Sequence, residues 1–526
     1  MFSIKNKHVL GLCMVLVLSS CAKKLDLFPE NQFTQQQVYS SAEGYKSVLA
    51  KVYGSMALSG NAGPAGATDI QGLDEGSQSP FIRGFFNAQE LPTDEAIVSW
   101  DDQTIKDFHA LRFTTNDPFI YGLYSRLIYN VMLCNEYLRE STDDKLSGRG
   151  IAGGDADEIR KTRGEVRFLR AFNYWCMIDL FGKSTFITEA DVVGAALPRE
   201  ISRANLFNYV ESELLAIQND MAPAKSAEYG RVDRAAAWAL LARLYLNAQV
   251  YTGTARYADA MTNAEKVINA GYSLYPNYPN VFLADNDKAK NEFIYTINCD
   301  GARTQNYGNT SFLIHAPSGD NASAEYGVGG GWYGYRVTRQ FVNLFPDPSG
   351  ATDKRALFAN LANPDINDVG QFMQGVQPKK WRNIRSDGGP VSDAQARNFA
   401  DNDFPVFRLA EMYLIYAEAA VRTSSNTATA LNYVNLIRRR AFGNNSNDFA
   451  SLTLTNLLEE RGRELYWEGH RRTDLVRYNL LTTGGYLWQW KGGSQTGTAV
   501  DPKYNLFPIP QLIRTSNPNI TQNAGY

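Results

Sequence analysis

The sequence predicts a mainly α-helical protein, in which tetratricopeptide-like helical hairpins form a scaffold and long aromatic-rich loops are inserted between them. Three observations support this fold class. Apolar residues recur at helical spacing over much of the chain. Two alanine-rich segments each contain a helix, a short break and a second helix. Two long stretches without periodicity are rich in tryptophan, tyrosine and phenylalanine, which argues against disorder. A plain all-α bundle is the alternative fold.

Residues 1–20 have the pattern of a lipoprotein signal peptide. Lys5 and Lys7 precede an apolar run, residues 9–18, that is too short to span about 30 Å of hydrocarbon but suits the centre of a secretory signal. The segment LSSC that ends at Cys21 resembles a bacterial lipobox, in which the cysteine is acylated. We therefore expect Cys21 to carry a lipid anchor, since two or more acyl chains hold a protein durably on a membrane. An ordinary signal with an incidental cysteine is the alternative.

The composition of the mature chain excludes two classes of protein. Removing residues 1–20 takes away two lysines, so the formal charge of −3 becomes −5. Such a chain is no basic nucleic-acid binder, and no nucleic-acid partner is expected. Cys134, Cys176 and Cys299 remain beside Cys21, and an odd number excludes a complete disulfide framework. We expect these three to be buried free thiols.

The scaffold is predicted to begin with a helix in residues 40–58. Ser40 and Glu43 have the spacing of a capping box, and apolar residues then follow at helical spacing. Asp117 and Pro118 supply a cap and a first-turn proline for the next helix. They mark the start of a second, longer scaffold segment.

Two predicted helical hairpins lie in the later scaffold segments, which are residues 117–272 and 408–478. The first hairpin covers residues 234–272, and the second covers residues 408–440. Alanines occur where the two helices of each hairpin would cross closely. Because an isolated hairpin of this kind leaves an apolar face uncovered, we expect the hairpins to stack.

The remaining stretches are predicted to be loops that carry a binding surface. Residues 59–116 and 281–403 show weak periodicity and many Gly, Asp, Asn and aromatic residues. Ordered loops of this length in a compact protein are usually functional. Residues 501–526 are predicted to be an extended C-terminal segment.

The sequence shows no catalytic or cofactor motif. It contains neither a G-x-S-x-G turn nor a phosphate-binding loop, and residues 329–334 match G-x-G-x-x-G only formally, without a strand-to-helix context. Residues 285–287 (DND) could contribute to a calcium site but lack the rest of a calcium loop, so we predict a solvated turn. We expect no cofactor and no metal. The histidines lack metal-ligand spacing; they are His8, His109, His315 and His470.

Several segments together give the sequence a family resemblance. They are CAKKLDLFPENQFT, SAEGYKSVLAKVYGSM, RGEVRFLRAFNYWCMIDLFG, FRLAEMYLIYAEAAVR, ERGRELYWEGHRRTDLVRY and NLFPIPQLIRTSNPNITQNAGY. In this order and spacing they resemble the SusD/RagB family of glycan-capturing outer-membrane lipoproteins. The resemblance covers nearly all of residues 21–526, which we therefore interpret as a single SusD-like domain.

The resemblance implies a non-enzymatic role at the cell surface. Such proteins are anchored in the outer membrane by a lipid and form a lid over a TonB-dependent SusC-like transporter, to which they deliver oligosaccharide. The C-terminal block is expected to be scaffold, with Glu464, Trp467, Glu468 and Arg471 making buried contacts rather than binding ligand.

The resemblance also implies the binding residues and an α-glucan ligand. The segment ELPTDEAIVSWDDQ, residues 90–103, resembles a loop of the starch-binding members in which a tryptophan stacks on glucose. Where those members have an asparagine near the end of the loop, this chain has Asp101, Asp102 and Gln103, which puts that polar contact in question. The residues implied as ligand-binding are two tryptophans, one tyrosine, one arginine and two polar residues, namely Trp100, Trp332, Tyr307, Arg83, Asp101 and Gln103.

Physical chemistry supports the same ligand class. Rings set in an arc can cover the curved apolar face of a helical α-glucan, and polar groups at the rim can bind its hydroxyls. Three alternatives stay open: a SusD-like binder of a different glycan, an α-helical lipoprotein glycoside hydrolase, and a repeat adaptor that binds only its transporter. The aromatic residues could also serve only to pack the loops.

Overall fold

The computed structural model describes residues 34–526. The predicted signal peptide, residues 1–20, and the predicted lipid anchor at Cys21 lie outside the described residues. Within residues 34–526 no helix is both long enough and apolar enough to cross a membrane.

The prediction of a mainly helical fold is confirmed. In the N-terminal half the helices are α1 Gln35–Val38, α2 Ala42–Gly54, α3 Phe81–Glu90, α4 Lys106–His109, α5 Pro118–Glu140, α6 Asp143–Gly148, α7 Gly153–Leu180, α8 Arg203–Ile217, α9 Arg234–Leu246, α10 Ala248–Thr252 and α11 Tyr257–Ile268. In the C-terminal half they are α12 Thr310–His315, α13 Arg339–Val342, α14 Leu409–Thr423, α15 Thr427–Phe442, α16 Leu454–Leu465, α17 Arg471–Arg477 and α18 Gln511–Ser516.

The strands form two-stranded antiparallel ribbons. They are β1 Ile97–Val98, β2 Ser184–Phe186, β3 Arg199–Ile201, β4 Phe293–Ile297, β5 Tyr335–Arg336, β6 Phe358–Ala359, β7 Gln377–Pro378 and β8 Phe404–Arg408. The pairs are β1–β5, β2–β3, β4–β8 and β6–β7. Three of these four ribbons join segments more than 15 residues apart in the chain, so they tie the inserted regions to one another and to the helices.

The two predicted hairpins pack against each other. Helices α9 and α11 form the first hairpin, α14 and α15 form the second, and α11 lies against α14. The alanines at the crossings are fully buried, for example Ala239 and Ala417. Stacking therefore covers the apolar faces that a single hairpin leaves open. Upstream, α5 packs on α7 and α7 packs on α8, which extends the helical layer.

Caps define the helix ends, with one correction. Asp117 caps α5 by accepting hydrogen bonds from the N–H groups of Phe119 and Ile120, and Pro118 occupies the first turn as predicted. The N-cap of α2 is Ser41, whose hydroxyl accepts from Gly44 N–H, and not Ser40. The hydroxyl of Ser40 instead donates to the carbonyl of Gln37, which closes the preceding helix.

The predicted boundaries of the loops are also partly wrong. Helix α3 lies inside the stretch 59–116, and each of its ten residues is buried. The sequence does carry a helical period here, because Phe81, Ile82, Phe85 and Phe86 recur at helical spacing, but the helix is short and lies in a stretch rich in Gly and Asp. The C-terminal stretch 501–526 is not extended throughout, because α18 and a single 3₁₀ turn, Pro502–Asn505, lie within it.

The core contains the three thiols as predicted. Cys134, Cys176 and Cys299 are buried and unpaired. Burial in apolar surroundings raises the pKa of the Cys134 and Cys299 thiols to about 12, so both stay protonated at neutral pH. They pack as small apolar side chains, not as reactive groups.

A cluster of buried charges joins the C-terminal helices to the inserted segments. We call it the C-terminal ionic cluster; its members are Glu292, Arg355, Lys380, Arg408, Arg440, Glu460, Glu464 and Glu468. Arg408 is central, because its guanidinium donates to Glu464 Oε1 at 2.6 Å, to Glu468 Oε2 at 2.6 Å and to Glu292 Oε1 at 3.0 Å. Burial alone would raise the pKa of Glu464, but the charges of Arg440 and Arg408 lower it to about 2. The charged pairs are thus held in their ionised form inside the protein.

Candidate functional site

The β1–β5 ribbon brings two distant tryptophans together. Val98 pairs with Tyr335, and the N–H of Ser99 donates to the Gly334 carbonyl at 2.9 Å. Trp100 directly follows this ladder, and Trp332 lies two residues before Gly334 on the other strand. Antiparallel pairing places such residues diagonally across the ribbon. Their ring centroids are 6.3 Å apart.

Trp332 and Tyr307 are held by helix α12 and the turns beside it. The N–H of Trp332 donates to the His315 carbonyl at 2.9 Å, and its indole stacks on the His315 ring with centroids 4.9 Å apart. Tyr307 lies just before α12. The carbonyl of the next residue, Gly308, accepts a hydrogen bond from the backbone N–H of Arg83 at 2.9 Å. The backbones that carry these rings are therefore fixed by the scaffold.

We call Trp100, Trp332 and Tyr307 the aromatic arc. All three are half-buried. The rings of Trp100 and Trp332 are tilted by 52°, and those of Trp332 and Tyr307 are tilted by 54° with centroids again 6.3 Å apart. Trp332 is thus equally far from the other two rings and inclined to each by a similar angle. The structure thus brings together the three aromatic residues that the sequence suggested, although they come from separate loops.

Trp100 is the most firmly packed ring of the arc. Its indole N–H donates to the Tyr333 carbonyl at 2.8 Å, and its ring meets Tyr335 edge-to-face at 4.9 Å. Gly334 lies against it with φ of +101°, and a Cβ there would lie 2.3 Å from Trp100 Nε1. Gly334 is one of the glycines of the formal G-x-G-x-x-G match, and its role here is to let the indole approach the backbone.

Arg83, on α3, is buried beneath the arc instead of standing free at its rim. Its Nη1 donates to the Gly76 carbonyl at 3.0 Å, and its guanidinium carbon lies 4.7 Å from the Phe312 ring centroid and 5.5 Å from that of Trp100. Burial lowers the pKa of Arg83 below its ordinary value. The arginine therefore supports Trp100 from below as well as lining the depression described next.

A depression of about 460 Å³ opens over Trp100 and Trp332, and the third ring of the arc, Tyr307, is not among its lining residues. Its size is within the range of roughly 300–1,000 Å³ that small-molecule sites occupy. It is lined by two indoles, two carboxylates, one guanidinium and one further ring, namely Trp100, Trp332, Asp101, Asp102, Arg83 and Phe372. Phe372 is the lining residue that sequence reasoning missed. The sequence contained one signal for this residue, because Phe372 and Met373 are an apolar pair in an otherwise polar stretch.

The two polar candidates differ in position. Asp101 lines the depression, is 91% exposed and forms an ion pair with Lys106. Gln103 is exposed but is not among the lining residues, and its Oε1 is 3.5 Å from Gln78 Nε2. Asp102, which the sequence offered only as a departure from the family pattern, lines the depression instead.

His315 supports Trp332 as a neutral ring. Burial lowers the pKa of His315, although hydrogen bonding to the carbonyls of Gly330 and Asn398 opposes the shift. Its Nε2 lies 3.0 Å from Asn398 O, and Nδ1 faces Gly330 O. Since a neutral imidazole has a single N–H, it donates to only one of these two carbonyls.

Buried bonds fix the segment before Trp100 to the C-terminal block. Arg471 donates to both carboxylate oxygens of Asp94, at 2.8 and 2.9 Å. The indole N–H of Trp467 donates to the Glu95 carbonyl at 2.8 Å. The expectation that Trp467 and Arg471 make buried contacts is therefore confirmed, and the same holds for Glu464 and Glu468 in the C-terminal ionic cluster.

No metal site is visible in the part of the chain that the structure describes. Within residues 34–526, no group of three His, Cys, Asp or Glu side chains is arranged to hold an ion. In the DND turn, Asp285 accepts from Ser386 N–H and Ser386 Oγ, and the Asn286 amide donates to the carbonyls of Val281 and Asp403. These residues hold loops together.

Comparisons with known proteins agree with this architecture. The sequence model of the SusD family matches residues 347–526. The starch-binding protein SusD of Bacteroides thetaiotaomicron is 35% identical to this chain over 99% of both proteins. SusD-like protein P2 of Formosa agariphila is 25% identical over 73% of this chain and 78% of that protein.

Solved structures show the same fold. A SusD homologue from Bacteroides thetaiotaomicron superposes with a TM-score of 0.70 at 20% identity, covering 95% of this chain and all of the other. Surface glycan-binding protein A from Bacteroides fluxus gives a TM-score of 0.69 at 20% identity over 92% of this chain and 100% of that chain. With one relative at 35% identity across almost its whole length, the chain belongs to the SusD family.

Proposed function

We propose that this protein is a non-catalytic glycan-binding lipoprotein of the cell surface, which captures an α-glucan, starch or maltooligosaccharide, on the aromatic arc. The observation that carries the proposal is the arc itself: three half-buried rings spaced at 6.3 Å, with successive tilts of 52° and 54°. A helical α-glucan presents a curved strip of apolar C–H groups. A curved row of rings can cover that strip without straightening the chain.

The chemistry of the depression suits a neutral sugar chain. The indoles offer large apolar surfaces, on which pyranose rings can lose contact with water. Asp101 and Asp102 at the rim can accept hydrogen bonds from hydroxyl groups, each worth about 1 kcal/mol net. The open shape of the site favours rapid release over very tight binding.

The choice of α-glucan among glycans rests on the relative at 35% identity, whose name describes it as starch-binding, and on the segment that leads to Trp100. A different glycan is the second candidate. The same tilted rings could bind another chain of similar curvature, and tighter binding of another polysaccharide than of maltoheptaose would favour this candidate.

We also propose the setting in which the site works. The lipobox resemblance at Cys21 supports a lipid anchor in the outer membrane, and family membership supports delivery to a TonB-dependent SusC-like transporter. Co-purification of such a transporter with the protein from outer membranes is expected. Replacing Cys21 by Ser should release the protein from the membrane fraction; retention of that variant would contradict the anchor.

Titration of maltoheptaose tests the ligand. In a soluble form that begins at Ala22, we expect calorimetric binding that Trp100→Ala or Trp332→Ala abolishes. Trp238, half-buried on α9 with its indole N–H bonded to Gln218, provides a matched control. Trp238→Ala should leave the affinity unchanged.

The same samples test the alternatives. New reducing ends after incubation with starch would favour a glycoside hydrolase. Full affinity in both arc variants would remove the arc as the site. If the protein bound its transporter but no glycan, the result would favour a repeat adaptor that binds only the transporter.

A further inference from the structure

We propose that Phe372 is a ligand-contacting residue of the same site, supplying a second apolar wall that packs on the face of the sugar chain turned away from the indoles. This inference rests on the proposed function, since it names a further contact for the same ligand. It makes the site a two-sided cleft instead of a one-sided platform.

The backbone that carries Phe372 is held by a buried arginine. Arg336, on β5, is 1% exposed. Its guanidinium donates to the carbonyls of Gln371 and Gln374, the latter at 2.7 Å, and to that of Val369 at 3.1 Å. Three carbonyls on both sides of Phe372 are thus bonded to one side chain.

The same arginine belongs to the ribbon that positions the arc. Arg336 pairs with Ile97 of β1, and Val337 bridges to Val376 at the end of the loop. The Gln374 side chain further closes the loop by accepting from the N–H groups of Asn367 and Asp368, at 2.7 and 2.9 Å. Phe372 is therefore placed relative to Trp100 and Trp332 by strand pairing together with the hydrogen bonds of the Arg336 and Gln374 side chains.

This backbone leaves the Phe372 ring uncovered. Phe372 is 42% exposed and its neighbour Met373 is 55% exposed. A single exposed apolar side chain is common and carries no argument by itself. The argument is that Phe372 lines the depression together with both indoles, whereas Met373 does not. When a ligand covers three neighbouring apolar rings, more apolar surface leaves water than when it covers two, so the free energy of binding is more favourable.

The second apolar wall, formed by Phe372, has a consequence for the ligand. Trp100 and Trp332 come from the two strands that flank the ribbon, and Phe372 comes from a separate loop, so rings from three segments border one depression. A slender, flexible chain fits such a cleft, because its sugar units have apolar C–H groups on more than one side. Each unit between the walls would lose more apolar surface to the protein than one platform can cover.

Titration of maltoheptaose into the soluble form with Phe372→Ala tests this contact. We expect the dissociation constant to rise about tenfold, since one aromatic contact is of the order that moves an equilibrium by a decade. Met373→Ala is the matched control and should stay within about twofold of the unaltered chain. Phe372→Tyr should retain the affinity, and Phe372→Leu should lose part of it. Because the ring is exposed, the melting temperature should not move.

The outcomes separate this inference from the proposed function. Binding by the unaltered chain, with Phe372→Ala within twofold of it, would overturn the second wall and leave the arc intact. Equal losses in Phe372→Ala and Met373→Ala would also overturn it, because the effect would then belong to the loop and not to the ring. Absence of maltoheptaose binding by the unaltered chain would overturn both proposals. If Phe372→Ala proves unstable, the maltoheptaose affinities of Phe372→Tyr and Phe372→Leu are compared instead. Equal affinities of these two variants would overturn the contact.

Discussion

The C-terminal ionic cluster and the aromatic arc differ in how they use their residues. In the cluster, Arg408 donates to three carboxylates, and every partner is buried. In the arc, the rings are half-buried and keep a face toward water. The charges of the cluster are paired within the molecule, whereas the arc leaves apolar ring surface that a ligand can cover.

This difference supports the proposed location of the function. The segments of the sequence that are richest in charge, such as ERGRELYWEGHRRTDLVRY, supply charged pairs that form without a ligand. The proposed binding residues lie in loops that the scaffold positions. The bonds of Asp94 to Arg471 connect the two regions, because they fix the segment that leads to Trp100.

The largest effect is expected from breaking the cluster. Arg408→Ala would leave Glu292, Glu464 and Glu468 buried with fewer partners, so the free energy of unfolding should fall by about 3–5 kcal/mol. Arg439→Ala is the control, since Arg439 pairs with Asp448 at the surface and should contribute less than about 1 kcal/mol. Urea unfolding measures both. Equal stability of the two variants would remove the distinction between buried and exposed pairs.

A smaller, local effect is expected from crowding the arc. Gly334→Ala places a Cβ 2.3 Å from Trp100 Nε1 on a backbone with φ of +101°. We expect at least tenfold weaker glycan binding, with a stability loss of about 1–3 kcal/mol from strain. Gly330→Ala is matched, because a Cβ at Gly330 meets no atom within 4 Å. If Gly334→Ala bound as well as Gly330→Ala, the position of Trp100 would not matter for binding.

The sequence predicted the features of the fold that depend on local patterns. The Asp117–Pro118 helix start follows from residues adjacent in the chain, and the two hairpins follow from periodicity. The family resemblance supplied Trp100, Trp332 and Tyr307. The β1–β5 ribbon brings the rings of Trp100 and Trp332 to 6.3 Å from each other, and the turn before α12 places the Tyr307 ring 6.3 Å from that of Trp332.

The parts that the sequence did not reveal depend on contacts between distant residues. Arg83 resembled a residue at the rim of the site, but only the packing on Phe312 and Trp100 shows that it lies beneath the arc. The placement of Phe372 depends on hydrogen bonds to Arg336, more than 30 residues earlier, and no local pattern encodes them.

The smallest effect concerns the junction between the two regions. Glu90, on α3, accepts from Gly469 N–H at 2.6 Å and from His470 N–H at 3.2 Å, and its carboxyl group also lies within hydrogen-bonding reach of that of Glu95. Burial raises the pKa of Glu90 from 4.5 to about 7. Burial, and next the charge of Glu90, raise the pKa of the neighbouring Glu95. The junction therefore holds a proton at a pH where the unfolded chain has released it.

The sign of the pH dependence follows from this retained proton. Between about pH 4.5 and pH 7 the native state binds more protons than the unfolded state, so the contribution of Glu90 to the free energy of unfolding is full below pH 4.5 and decreases as the pH rises. Glu90→Gln removes one of the two carboxyl groups with a raised pKa but keeps an acceptor for Gly469 N–H. Relative to the unaltered chain, it should gain about 1–3 kcal/mol between pH 5 and pH 8. Thermal unfolding measured across that range checks this, and parallel pH profiles of the two proteins would show that Glu90 is already ionised in the folded state.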